Sequence, residues 1–191
     1  MRLFIARHGE TDWNLSSTIQ GQTDTSLNEQ GRRQAAELAD KLLKENYRID
    51  KIYVSRQKRA LETAQIVGKA LNTEPIILDG LEEMNFGNWE GITWPQVETQ
   101  YAQEYNAWHL NRRYTSTPGG ESYQQVLDRL LPSLRTIKET ETGNVLVVTH
   151  SAVIMALMSY LRDTPFEKMV KNYRTANANI IELGTEEKDK L

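Results

Sequence analysis

Cysteine is absent from this 191-residue chain, which removes disulfide bonds and thiolate chemistry from consideration. Long hydrophobic runs are absent too. Nothing between Met1 and His8 is apolar for long enough to act as a signal peptide, and Ser151 to Leu161, though apolar, is too short to span a bilayer. Positive charge is in slight deficit, 23 Lys and Arg against 26 Asp and Glu, for a net charge of −3. That balance offers phosphate backbones and anionic membranes no bulk attraction, so neither nucleic acid nor membrane is expected as a partner. A local cationic pocket is still allowed. Repeats and low-complexity linkers are missing, and residues 1–191 fit a single domain with a substantial core. A cytoplasmic location is the expectation that follows; oligomeric state is left open.

Histidine is scarce, with residues only at positions 8, 109 and 150. Leu3 to Ala6 reads as a short buried strand that gives way to Arg7, His8 and Gly9, then Glu10, Thr11 and Asn14. A cation, an imidazole and a glycine at the carboxyl end of a strand are the parts for holding an anion. Open α/β sheets put their ligands at that end. The same grammar recurs at Asn144 to Ser151, where a strand, Val145 to Val148, runs into His150 with a helix opening behind it. If the two strands lie side by side in parallel, both imidazoles enter one pocket. No third His, Cys or carboxylate stands at ligand spacing, so the pair is not read as a metal site, and no cofactor is expected.

Further strands are predicted at 51–54, 74–78 and 177–183. Ser26-Leu27-Asn28-Glu29 is a capping-box pattern opening a helix whose face is Ala35, Leu38, Ala39, Leu42 and Leu43. Ser55 is expected to cap a helix with Ala60, Ala64, Val67 and Leu71 inside. Thr93 with Pro95 opens one that presents Val97, Tyr101, Tyr105 and Trp108 along a single side. Ser122 and Gln125 cap another, striped from Val126 to Ile137, which Pro132 should kink rather than end. Ser151 to Leu161 reads as a buried helix, a short helix starts at Thr164, and the charged tail 185–191 is expected to be solvated. Strands alternating with helices predict an α/β fold, a mostly parallel central sheet with helices on both faces. The strand-free region 87–122 is expected to be a helical insertion covering the pocket, with Trp89, Trp94 and Trp108 as an aromatic lid.

R-H-G-E-T with Asn14, K-R-A-L-E-T-A at 58–64, L-E-E-M-N-F-G at 81–87 and the V-V-T-H block resemble the histidine phosphatase superfamily, the phosphoglycerate mutase-like proteins. R-H-G alone is common; four blocks in the family's order, from about residue 2 to 161, are specific. The resemblance implies a metal-independent phosphomonoesterase working through a phosphohistidine on a small phosphorylated metabolite. His8 would be the nucleophile, since a neutral imidazole can attack phosphorus and split one hard step into two. Arg7 and Arg59 would clamp the phosphoryl oxygens at two points, and His150 would donate a hydrogen bond to the same group. Glu83 would protonate the leaving alkoxide. The residues alone leave Arg56 and Arg59 both open, and show only that one of the adjacent Glu82 and Glu83 can face the pocket; the resemblance selects Arg59 and Glu83. Asn14, Gln20, Gly21 and Thr23 fit the family's secondary phosphate contacts. Ser151 stands where many relatives have glycine, and either adds a hydroxyl to the site or caps the helix.

The compact chain, with F-G-N-W-E-G at 86–91 and P-G-G-E-S at 118–122, looks like the phosphatase branch. Asn111 to Tyr114, however, is similar to a mutase segment whose arginines hold a substrate carboxylate, which makes Arg112 and Arg113 candidate substrate contacts. A cofactor-dependent phosphoglycerate mutase is therefore one alternative, and a phosphatase whose substrate carries an acidic group is another. A non-catalytic phosphate-binding module would require a lost catalytic residue, and none of the five is missing.

Overall fold

The computed structural model describes residues 1–191. Its strands are β1 Leu3–Arg7, β2 Lys51–Val54, β3 Pro75–Ile77, β4 Val145–Thr149 and β5 Ile180–Leu183. Its helices are α1 Asp12–Leu15, α2 Glu29–Lys44, α3 Lys58–Leu71, α4 Trp94–Gln100, α5 Ala102–Leu110, α6 Tyr123–Thr140, α7 Ser151–Leu161, α8 Met169–Tyr173 and α9 Thr185–Asp189. The strands form one sheet in the order β3-β2-β4-β1-β5. Every pairing is parallel except that of β5 with β1. No helix is long and apolar enough to cross a membrane.

Side chains alternate across a strand, so the central strands feed two cores. Leu3, Ile5, Val145 and Val147 join the larger core with α6 and α7, while Phe4, Ala6, Leu146 and Val148 join the smaller one with α2 and α3. Burial on both faces explains why β1 and β4 read as continuous apolar runs. Their register sets Arg7 opposite Thr149, and the His8 N–H donates to the Thr149 carbonyl at 3.0 Å. The residues following the two strands therefore leave the sheet side by side.

Several local expectations are corrected. Helix α2 is capped by Asn28, whose side chain accepts from the Gly31 N–H, and not by Ser26. Helix α3 starts after Gln57 with no side-chain cap, because the Ser55 hydroxyl is used elsewhere. The single helix expected after Thr93 is two, α4 and α5, broken at Tyr101, where the backbone leaves helical geometry. Helix α6 is capped by Ser122 and Gln125 as expected and continues through Pro132. The last strand is shorter than predicted, since 177–179 peels off against His8. The tail is not merely solvated: α9 is held by Glu187 to Arg162 and by the Lys190 ammonium to the Leu161 carbonyl, and Leu191 is buried. Region 87–122 is a largely helical insertion, but Trp89 and Trp108 are not a lid. Both are buried in the larger core, Trp89 edge-on to Trp108 at 5.4 Å, because rings of that size bury more apolar surface there than over an open pocket.

Candidate active site

The loop after β1 builds the first wall. His8 is buried, and its Nδ1 lies 2.6 Å from the Gly9 carbonyl oxygen. A carbonyl can only accept, so Nδ1 carries the proton and Nε2 keeps its lone pair. Burial, then the charges of Arg59 and Arg7, push the imidazole well below its ordinary value, which keeps it neutral. Gly9 is required for close approach: a Cβ there would lie 2.4 Å from the Gly31 carbonyl oxygen of α2.

His150 stands at the N-cap position of α7, directly after β4, with its ring centroid 5.2 Å from that of His8. The Ser55 hydroxyl lies 2.8 Å from Nε2 and itself accepts from the Gln57 N–H at 3.4 Å. With the Ser55 hydroxyl donating to Nε2, Nδ1 is the N–H. His150 Nδ1 is buried without a partner, and so are Arg7 Nε, Arg59 Nε and Arg112 Nε. Unpaired buried donors cost roughly 1–3 kcal/mol each.

The guanidiniums are fixed from behind. Arg59, fully buried, donates from Nη1 to the Thr23 carbonyl at 2.9 Å and from Nη2 to the Gly21 carbonyl at 2.6 Å. Arg7 donates from Nη1 to the Thr175 carbonyl at 2.7 Å. Burial pulls Arg7 down to about 10, still charged at neutral pH. Arg56, by contrast, is exposed and paired with Asp79 and Glu82.

Glu83 is buried, and its Oε2 accepts from the Ala152 N–H at 3.3 Å, at the amino end of α7. Burial raises its pKa, against the opposing pull of Arg59, and so favours the protonated acid. Glu82 turns the other way, toward Arg56 and Arg129. Two imidazoles with ring centroids 5.2 Å apart, two guanidiniums and one acid are thus gathered close enough to feel one another's charge. The sequence pattern of the histidine phosphatase superfamily (branch 1) matches residues 3–190. The chain belongs to that superfamily.

Among its relatives, phosphoglycerate mutase-like protein 4 of Arabidopsis thaliana is 35% identical over 95% of this chain and 79% of its own length. A metal-independent phosphoserine phosphatase of the same plant is 34% identical over 95% of this chain and 76% of its own length. A mycobacterial glucosyl-3-phosphoglycerate phosphatase solved in complex with VO3 superposes with a TM-score of 0.84 at 31% identity, covering 96% of this chain and 92% of that one. This histidine phosphatase is a phosphoric monoester hydrolase of that superfamily's type.

Around the central five, this histidine phosphatase arranges the remaining candidates unequally. Asn14 Oδ1 accepts from the Thr11 N–H and Asn177 Nδ2, so its amide NH₂ is the free end. Gln20 Oε1 likewise accepts from the Thr11 and Thr25 hydroxyls. Gly21 contributes its carbonyl to Arg59. Thr23 departs from expectation: its N–H and its hydroxyl are both committed to Glu90 Oε2. Ser151 is half-buried in the first turn of α7. Arg112 is buried, stacked 4.6 Å over Trp108, and donates from Nη2 to His109 Nδ1 at 2.8 Å. The buried Tyr123 hydroxyl feels the charges of both Arg112 and Glu83. Arg113 does not join it, since its guanidinium bonds Gln124 and lies over the rings of Tyr114 and Phe166.

Besides Ser55, which the sequence marks only as a cap, four further side chains at the site escape sequence reasoning. Gln57 accepts the Glu83 N–H at 2.7 Å and donates to the Gly21 carbonyl at 3.0 Å. Asn177 Nδ2 donates to the His8 carbonyl at 3.1 Å and to Asn14. Arg129 donates to the Gly80, Glu82 and Glu83 carbonyls. Glu90 grips the 22–23 loop. Each acts on backbone atoms far away in the chain, which leaves no local spacing to read.

Proposed function

We propose that this histidine phosphatase hydrolyses a small phosphate monoester carrying a second anionic group, through a phosphohistidine on His8. The observation that carries the reading is the His8 ring, whose Nδ1–H donates to the Gly9 carbonyl and leaves Nε2 free to attack, with burial and then Arg59 and Arg7 favouring the neutral form. Nε2 forms a bond to phosphorus as the bond to the ester oxygen breaks. The departing electron pair stays on that oxygen, which takes the proton of Glu83. Water then attacks phosphorus, Glu83 recovers a proton from it, and the N–P electron pair returns to Nε2. Arg7, Arg59 and the Nδ1–H of His150 meet the phosphoryl charge throughout. Because those groups supply the positive charge, turnover is expected to persist in chelator.

The second anionic group follows from Arg112. Its guanidinium is buried with Nε unpaired, and the Tyr123 hydroxyl feels both its charge and that of Glu83, features suited to two-point capture of a carboxylate. Phosphoserine and glucosyl-3-phosphoglycerate, named for two relatives, both bear one.

The test is phosphate release with chelator present, from p-nitrophenyl phosphate and from phosphoserine, by wild type, His8→Ala and Arg112→Ala. Loss of turnover and of acid-labile ³²P labelling is expected in His8→Ala. A raised KM for phosphoserine, with p-nitrophenyl phosphate little affected, is expected in Arg112→Ala. Label that survives His8→Ala overturns the nucleophile, and an equal change on both substrates overturns the second contact. Conversion of 3-phosphoglycerate to its 2-isomer faster than hydrolysis would make the enzyme a mutase.

A further inference from the structure

Glu90 lies directly after the short 3-10 turn Gly87–Trp89, at the start of the insertion, and its carboxylate reaches back to the loop behind Arg59. Oε1 accepts the Gln22 N–H at 2.9 Å and the Phe86 N–H at 3.1 Å. Oε2 accepts the Thr23 N–H at 3.0 Å and the Thr23 hydroxyl at 2.7 Å. The approach is close enough to require glycine at position 21, where φ is +53° and a Cβ would meet Glu90 Oε1 at 2.0 Å.

The Gln22 N–H and the Gly21 carbonyl belong to one planar trans peptide. Glu90 grips that plane by its N–H edge. Arg59 Nη2 and Gln57 Nε2 grip it by its carbonyl edge. A peptide held between an anion and a cation is polarised by both, which strengthens each bond. The plane cannot turn without breaking bonds on both sides. We infer that Glu90 is a positioning residue for the phosphoryl clamp, fixing the Arg59 guanidinium through the Gly21–Gln22 peptide. The inference rests on the reading of Arg59 as a phosphate contact. Its rival is a strut that merely holds the insertion onto the domain.

A double-mutant cycle separates the two. Inorganic phosphate affinity by calorimetry, kcat on p-nitrophenyl phosphate and the thermal midpoint are measured for wild type, Glu90→Gln, Arg59→Ala and the double variant. Glu90→Gln is expected to weaken phosphate binding and lower kcat on the order of tenfold, the scale of a misplaced positioning group. In the Arg59→Ala background the same substitution is expected to change phosphate affinity less than about twofold. Equal effects in both backgrounds overturn the inference and leave the strut. Wild-type phosphate affinity in Arg59→Ala overturns the reading of Arg59 itself and the inference with it. Glu90→Asp, which keeps the charge on a shorter stem, replaces Glu90→Gln if that variant does not fold, with the same non-additivity expected. Failure of both to fold overturns the inference in favour of the strut.

Discussion

His8 and Glu83 are both buried and are pushed in opposite directions by that burial, which disfavours the charged form of each. Burial thus favours the neutral, nucleophilic imidazole and the protonated carboxyl, the two forms that the proposed ester cleavage needs. Glu83→Gln keeps the shape and removes the proton. It is expected to lower kcat about 10²- to 10⁴-fold on alkyl phosphates, whose oxygen leaves as a strong base. On p-nitrophenyl phosphate, whose leaving group needs no proton, the loss is expected to be small; comparing kcat on the two esters is the measurement. Equal losses would assign the acid to another residue. At this scale the residue types were legible, but their sides were not. Arg56 and Arg59 lie three positions apart on the way into α3, and Glu82 and Glu83 are neighbours. Only the packing decides that Arg59 and Glu83 face in while Arg56 and Glu82 pair with each other outside.

At the ends of elements, the sequence offered more capping residues than the helices use. Ser26 and Asn28 both precede α2, and Asn28 wins because its amide serves two partners. Oδ1 accepts from the Gly31 N–H at 2.8 Å and Nδ2 donates to Glu10 Oε1 at 2.9 Å, tying α2 to the loop that carries His8. Asn28→Ala is expected to cost about 1 kcal/mol in urea unfolding, while Ser26→Ala, at an exposed position, is expected to be nearly neutral. The reverse order would restore the Ser26 cap. Ser55 gave a similar false signal, since a hydroxyl before a helix can cap it or leave it for a ring nitrogen. The predicted strand 177–183 begins three residues late for a comparable reason. Asn177 and Ala178 instead donate to the His8 carbonyl, and the site takes those residues from the sheet.

Across the whole molecule, burying two neutral histidines ties folding to pH. Both are held well below the ordinary value of 6.5, so as pH falls below that value the unfolded chain takes up protons that the folded one refuses. Stability present above 6.5 is therefore lost on acidification, by about 1.4 kcal/mol per pH unit for each such group. Glu83, raised above 4.5, acts in the opposite sense over its own window. His8→Asn is expected to shed one such slope, read from urea unfolding between pH 6.5 and 5.5; an unchanged slope would mean that His8 is charged in the folded protein. The sequence by itself determined the alternation of strands and helices, the two apolar runs buried on both faces, and the two histidines at their ends, because periodicity and strand termini are local properties. Tertiary structure alone decided that β1 and β4 are neighbours, that Trp89 and Trp108 enter the core, and that Glu90, Gln57 and Asn177 brace the site. Those outcomes depend on which backbone atoms meet across long stretches of chain, and no spacing along the chain records that.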